Sequence, residues 1–129
     1  MFLPLFHFKT KKEIMENWEN GLKDVAITVI DSNGKIVDMN THSKEVNLKD
    51  VNQSIIGNDI MDCHPERAQK IIKNMMTNHV NNVYTITKKG QEKLIYQSPW
   101  YNADGSFGGL VELSIVIPNN MPHYDRDKQ

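Results

Sequence analysis

The sequence predicts a single α+β domain, an antiparallel sheet with its helices gathered on one face. Three observations carry that expectation. Residues 81–117 run at a period of two, interrupted by "KKGQ" and "NADGS", which reads as three antiparallel strands. Two further β-branched segments, "VAITVI" and "KIVDM", flank "DSNG", whose Asn-Gly pair is a strong hairpin cue. Between these groups, "PERAQKIIKNMMTN" runs at helical period. Two hairpin-like groups joined by a helical excursion need no parallel crossover.

The elements follow in order. The opening "MFLPLFHF" is apolar and "KTKK" basic, the reverse of a secretory signal. Phe2, Leu3, Leu5, Phe6 and Phe8 need cover, from the same domain or from a second copy. Thr10 and Glu13 have capping-box spacing, and Ile14, Trp18 and Leu22 recur at helical period, so residues 11–22 read as an amphipathic helix. "VAITVI" is almost wholly apolar, which predicts cover on both faces, and helix 11–22 can supply the second. Residues 41–54 read as a loop with a short helical turn, anchored by Val46, Leu48 and Val51.

"IIGNDIMDCHP" reads as one short helix that ends where His64 precedes a proline and is pushed out of helical geometry. Pro65 then suits the first turn of a longer helix, with Glu66 near its positive end. Ala68, Ile71, Ile72, Met75 and Met76 form that helix's apolar stripe. In the last strand Val111, Leu113, Ile115 and Ile117 share one face, and Glu112, Ser114 and Val116 the other. The organisation is an arm and helix over 1–22, a domain body over 23–118, and a polar tail over 119–129.

Bulk properties narrow the function. The 129 residues suffice for one core and not for two domains. Fifteen Lys and Arg stand against sixteen Asp and Glu, a net charge of −1, a balance that gives no sign of nucleic-acid binding, which usually needs a basic face. A single cysteine makes neither an internal disulfide nor a multi-thiolate metal site, and fits a cytoplasmic setting. No stretch approaches the roughly 20 apolar residues that span a bilayer. His7, His42, His64, His79 and His123 are scattered, without the paired spacing of a zinc site.

The Cys63-His64 pair is the one chemically pointed dipeptide. As a nucleophile and base it needs an orienting carboxylate and a cleft converging on residues 63 and 64. A helix N-terminus just beyond would lower the thiol pKa. The plainer reading makes Cys63 a small buried hydrophobe and has His64 satisfy backbone groups at the bend. Met61, Met75, Tyr84, Tyr96 and Trp100, with Met39 and Met76, suit either ordinary core or the wall of a ligand cavity. The basic runs "KTKK" and "ITKKG" read as solvated surface.

Three stretches together resemble a PAS domain over about residues 22–118. "ITVIDSNGKIVDMN" resembles its opening hairpin, "SIIGNDIMDCHPERAQKI" the segment leading into its long helix, and "YNADGSFGGLVELSIVI" its closing hairpin. The Cys-His-Pro segment and "PWYNADGSFGGLVE" further resemble a subgroup found in bacterial and archaeal regulatory proteins. The resemblance implies a five-stranded antiparallel sheet in the order 2-1-5-4-3, helices over one face, and an N-terminal amphipathic helix on the other.

It also implies a non-catalytic, cytoplasmic sensory module that homodimerises through that helix and engages a signalling partner. A small molecule would sit between sheet and helices, near Met61, Cys63, His64, Met75, Tyr84, Tyr96 and Trp100. Haem, flavin, a carboxylate or a fatty acid fill that place in PAS domains. "DCHPERAQ" departs from the Asn-Cys-Arg pattern of the flavin subtype, and "AQKIIKN" has no histidine where the oxygen-sensing haem subtype carries one. Flavin is therefore disfavoured, and haem would need His64 or His79. The rival reading is a ligand-free dimerisation module.

Overall fold

A computed structural model describes residues 17–48 and 54–128. Its strands are β1 Val25–Asp31, β2 Ile36–Met39, β3 Asn82–Lys88, β4 Gln91–Tyr101 and β5 Phe107–Val116. Its helices are α1 Thr41–Asn47 and α2 Glu66–Asn78, with single 3-10 turns at Trp18–Gly21, Ile60–Cys63 and Arg126–Lys128. All strand pairs are antiparallel and the sheet order is β2-β1-β5-β4-β3, the order that the family resemblance implies. The arm and most of helix 11–22 lie outside the described residues.

Local chemistry explains the turns. After β1, the Asp31 carboxylate accepts from the backbone N–H groups of Asn33 (2.9 Å) and Lys35 (3.0 Å), and Gly34 takes φ 78°. Between β3 and β4 a two-residue turn places Lys89 at φ 52° and Gly90 at φ 76°, the left-handed pair that matches strand twist.

Two segments differ from the sequence expectation. Residues 41–47 form a complete helix rather than a loop with one turn, because Asn40 caps it: its Oδ1 accepts from the Ser43 N–H. Residues 55–63 form no single helix. The Gly57 N–H donates to the Ile36 carbonyl (2.7 Å), the Ile36 N–H to the Asn58 carbonyl (2.9 Å) and the Ile60 N–H to the Gly34 carbonyl (2.8 Å). These bonds tie the segment to β2 and its preceding turn through a turn at residues 56–57 and a bridge between Lys35 and Asp59, and only Ile60–Cys63 coils.

Side-chain alternation assigns the two sheet faces. Ala26, Thr28 and Ile30 of β1 register with Ser114, Glu112 and Leu110 of β5, and Ile95 and Gln97 of β4 continue the rows on the face toward the helices. Val25, Ile27, Val29, Leu94, Tyr96, Val111, Leu113 and Ile115 belong to the opposite, outer face. The most apolar row of β5 therefore looks away from α2, and its polar row looks toward it. Ile30, Ile36, Met39, Ile72, Met75 and Leu110 form the buried core. Of the stripe expected on α2, Ile72 and Met75 are buried, whereas Ile71 is 43% exposed.

Trp100 reaches from β4 across β5 to β1, where its indole Nε1–H donates to the Ile30 carbonyl at 3.0 Å. The crossing depends on two residues without side chains. A Cβ on Gly108 would stand 2.1 Å from the Trp100 ring, and one on Gly109 1.9 Å from the Ile30 oxygen. Gly109 also holds φ 151°, a conformation that strains any residue with a Cβ.

Candidate functional site

The extended backbone at His64 (φ −123°, ψ 140°) separates the 3-10 turn from α2 and sets the helix over the inner sheet face. Between them lies a cleft of about 500 Å³. Pro65, Arg67, Ala68, Ile71 and Ile72 line it from the helix side, and Asn82, Tyr84, Gln97 and Glu112 from the sheet. His64 stands where the two walls meet. A void of about 40 Å³ shares His64, Ile72, Gln97 and Glu112 with the cleft and continues into the core at Ile30, Met75 and Leu110. A third cavity, about 150 Å³, lies on the α1 side along Ala26, Val46, Ile86 and Lys93. Glu112 lines all three.

Glu112 sits mid-strand, with Thr28 of β1 and Gln97 of β4 as its cross-strand partners. Burial pushes its carboxyl above the ordinary glutamate range, while a hydrogen bond from Gln97 and the nearby His64 pull it down. The Gln97 Oε1 accepts from Asn82 Nδ2 at 2.8 Å, which leaves its NH₂ for Glu112 and Tyr84. Burial and the Glu112 charge raise the Tyr84 phenol, and its bond to Gln97 lowers it. Asn82, Gln97, Tyr84 and Glu112 are thus one hydrogen-bonded and electrostatic group.

His64 is held from both sides. Its Nδ1 lies 2.7 Å from the Ile60 carbonyl, which can only accept, so Nδ1 is the donor and Nε2 is the nitrogen left for another partner. Gln69, one turn into α2, donates to the carbonyls of Met61 (3.0 Å) and His64 (2.9 Å) and locks the 3-10 turn to the helix. Asp59 caps that turn through the Met61 N–H.

Cys63 touches the same two groups but does not line the cleft. Its residue is exposed, and Sγ contacts the Ile60 carbonyl at 3.4 Å and His64 Nδ1 at 3.3 Å. Partial desolvation raises its thiol pKa, a backbone hydrogen bond lowers it, and the negative charges of Asp62 and Asp59 raise it further. The helix N-terminus does not produce a lowered thiol, and Cys63 is not the buried hydrophobe expected from the sequence. Among the described residues no three His, Cys, Asp or Glu side chains come close enough to hold a metal ion.

Of the residues singled out from the sequence, His64 and Tyr84 meet in the cleft, and Met75 lies in the void behind it. Met61 packs against the core beside them. Tyr96 lies on the outer face with its hydroxyl accepting from Asn81 Nδ2 (3.2 Å), and Trp100 serves the strut to Ile30. His79 caps α2 in left-handed geometry and stacks on Phe107 with ring centroids 4.2 Å apart.

A sequence profile of the PAS domain family matches residues 19–117. The chain belongs to the PAS domain family. Solved structures place its fold in the same company. The chain is similar to a C-terminal domain from Streptococcus mutans, at 16% identity and a TM-score of 0.68, over 89% of this chain and 91% of that one. It is similar to the PAS domain of BvgS from Bordetella pertussis, at 18% identity and a TM-score of 0.56, over 85% and 88% of the two chains. It is also similar to the Aer2 receptor from Vibrio cholerae, described as a dual PAS-heme oxygen sensor, at 15% identity and a TM-score of 0.54, over 73% and 95%. No curated protein matches the chain.

In this PAS domain Glu112, Gln97, Thr28, Asn82 and Arg67 escaped sequence reasoning. One signal was present: "LVELSIV" and "LIYQSPW" each carry a single strongly polar residue at the middle of an apolar strand. A charge in that position is costly unless it faces a partner, a cavity or water.

Proposed function

We propose that this PAS domain is a non-catalytic sensory module that takes a small ligand in the cleft between α2 and the sheet. One observation carries the reading: His64, Tyr84, Gln97 and Glu112, drawn from four separate segments, converge with Arg67 and Asn82 on a cleft whose apolar wall is Pro65, Ala68, Ile71 and Ile72. A largely apolar pocket with a few convergent polar groups is the usual form of a small-molecule site. Occupancy would favour one seating of α2 on the sheet, and a second copy of the chain or a signalling partner would read that shift. The exposed Cys63, with its raised thiol pKa, supports no nucleophilic role.

The test uses Ile71→Trp, which fills the cleft from a half-exposed position and leaves the core residues in place. Native mass spectrometry of freshly purified protein should find a small molecule bound to the unaltered chain and absent from the variant. If neither form carries a ligand and neither gains thermal stability from a metabolite panel, the ligand-free dimerisation reading replaces this one.

A second reading rests on His64. A ring whose Nδ1–H is bonded to a backbone carbonyl is oriented as metal-ligating histidines are, with Nε2 available as the ligand atom. That would make the protein a haem sensor. An ultraviolet-visible spectrum with added hemin should then show a Soret band that disappears in His64→Ala.

A further inference from the structure

We infer that the cleft accepts a small zwitterion of the α-amino acid class, its ammonium group at Glu112 and its carboxylate at Arg67. The inference rests on the proposed ligand cleft and names the chemistry of its occupant. The cleft lining contains one carboxylate, Glu112, and one guanidinium, Arg67. The two lie on opposite walls: Glu112 in the middle of β5, Arg67 in the first turn of α2. Among the described residues neither is held in a salt bridge, although the exposed Lys70–Glu66 pair occupies the same helix. Glu112 has the Gln97 amide and His64 beside it and Arg67 is exposed, so each charge can still meet a ligand in the cleft.

Charge complementarity selects among ligand classes. A plain carboxylic acid would pair with Arg67 and bring a second negative group toward Glu112. A plain amine would satisfy Glu112 and face the Arg67 charge unpaired. Only a ligand bearing both signs answers both walls. Arg67 suits a carboxylate because its guanidinium presents paired donors in a plane. Tyr84 and Gln97, already joined to Glu112, add polar contacts beside the ammonium position. The apolar wall of Ala68, Ile71 and Ile72 would receive the side chain, which favours an aliphatic or aromatic amino acid over a charged one. About 500 Å³ lies within the size range of sites for such molecules.

The experiment is a thermal-shift and calorimetric screen of the full chain against the standard L-amino acids. Each hit is repeated with its decarboxylated amine and its deaminated acid. At least one amino acid should bind, and both counterparts should bind roughly tenfold more weakly or worse, since each leaves one charge unanswered. Glu112→Gln and Arg67→Gln should each weaken the same ligand by a similar factor while the circular dichroism of the free protein stays unchanged.

The inference is overturned if no amino acid binds, if either counterpart binds as tightly as its parent, or if both variants bind as the unaltered chain does. The failure of the underlying cleft reading is distinguishable. A co-purified molecule of other chemistry that Ile71→Trp excludes leaves the cleft standing and removes the zwitterion. Absence of any ligand for the unaltered chain removes both.

Discussion

Glu112 is the residue on which the inner face turns. A carboxylate between a helix and a sheet loses hydration, and one amide from Gln97 does not restore it fully, so its folded-state pKa lies above that of the unfolded chain. The folded protein then binds that proton more tightly than the unfolded one. The group costs nothing below the unfolded value of about 4.3 and destabilises progressively as pH rises through the interval up to the folded value. Glu112→Gln keeps the shape and removes the charge. Its Tm at pH 7 should exceed that of the unaltered chain, and the difference should close at about pH 4. Circular dichroism melts across that range check it. A lower Tm for the variant at pH 7 would mean that the fold stabilises the carboxylate in its charged form.

At the scale of elements, α1 shows how a short helix earns its place. Seven residues form a marginal helix alone. Asn40, 3% exposed, connects it to the sheet with every polar atom used. Its Oδ1 accepts from the Ile27 N–H (2.8 Å) and the Ser43 N–H (3.0 Å), and its Nδ2 donates to the Val25 carbonyl (2.8 Å). Ser43, fully buried, adds a hydroxyl contact to Thr28 at 2.6 Å. Asn40→Ala removes the cap and leaves groups of β1 without partners, and should cost about 2–3 kcal/mol. Urea denaturation followed by tryptophan fluorescence measures it, and a loss below about 0.5 kcal/mol would show that water replaces all three bonds.

For the whole molecule, the outer sheet face is the candidate assembly surface. Its central row, Ile27, Val29, Val111, Leu113 and Ile115, is only partly buried, and Val83, on edge strand β3 of the same face, is 50% exposed. An apolar face of this kind marks an interaction surface, and we propose that a second copy of the chain covers it together with the N-terminal helix. Val83→Lys alters the rim of that face at a position whose exposure spares the fold. Light scattering should find a dimer for the unaltered chain and a monomer for the variant at the same concentration. A monomeric unaltered chain would overturn the proposal. No helix among the described residues is long and apolar enough to cross a membrane.

The strands, their turns and the bend at His64 were legible in the sequence because their causes are local. A period of two, an Asn-Gly or Lys-Gly turn that admits positive φ, and a proline that forbids helix before it all act within a few residues. The chain's resemblance to PAS domains supplied the strand order. What only the tertiary structure decided depends on partners far away in sequence. Alternation shows that β5 has two faces, but the packing of α2 decides that Glu112 and Ser114 look inward and Leu113 outward. The sequence reads residues 55–63 as helical, yet hydrogen bonds to β2 and the strand turn before it leave a turn at 56–57 and a single bridge at Asp59 ahead of the 3-10 turn. Glu112 became the centre of a site only when Gln97, Tyr84 and His64, each from its own segment, were brought around it. Local preferences fix the elements, whereas long-range packing fixes which side chains lose water, and therefore where the chemistry gathers.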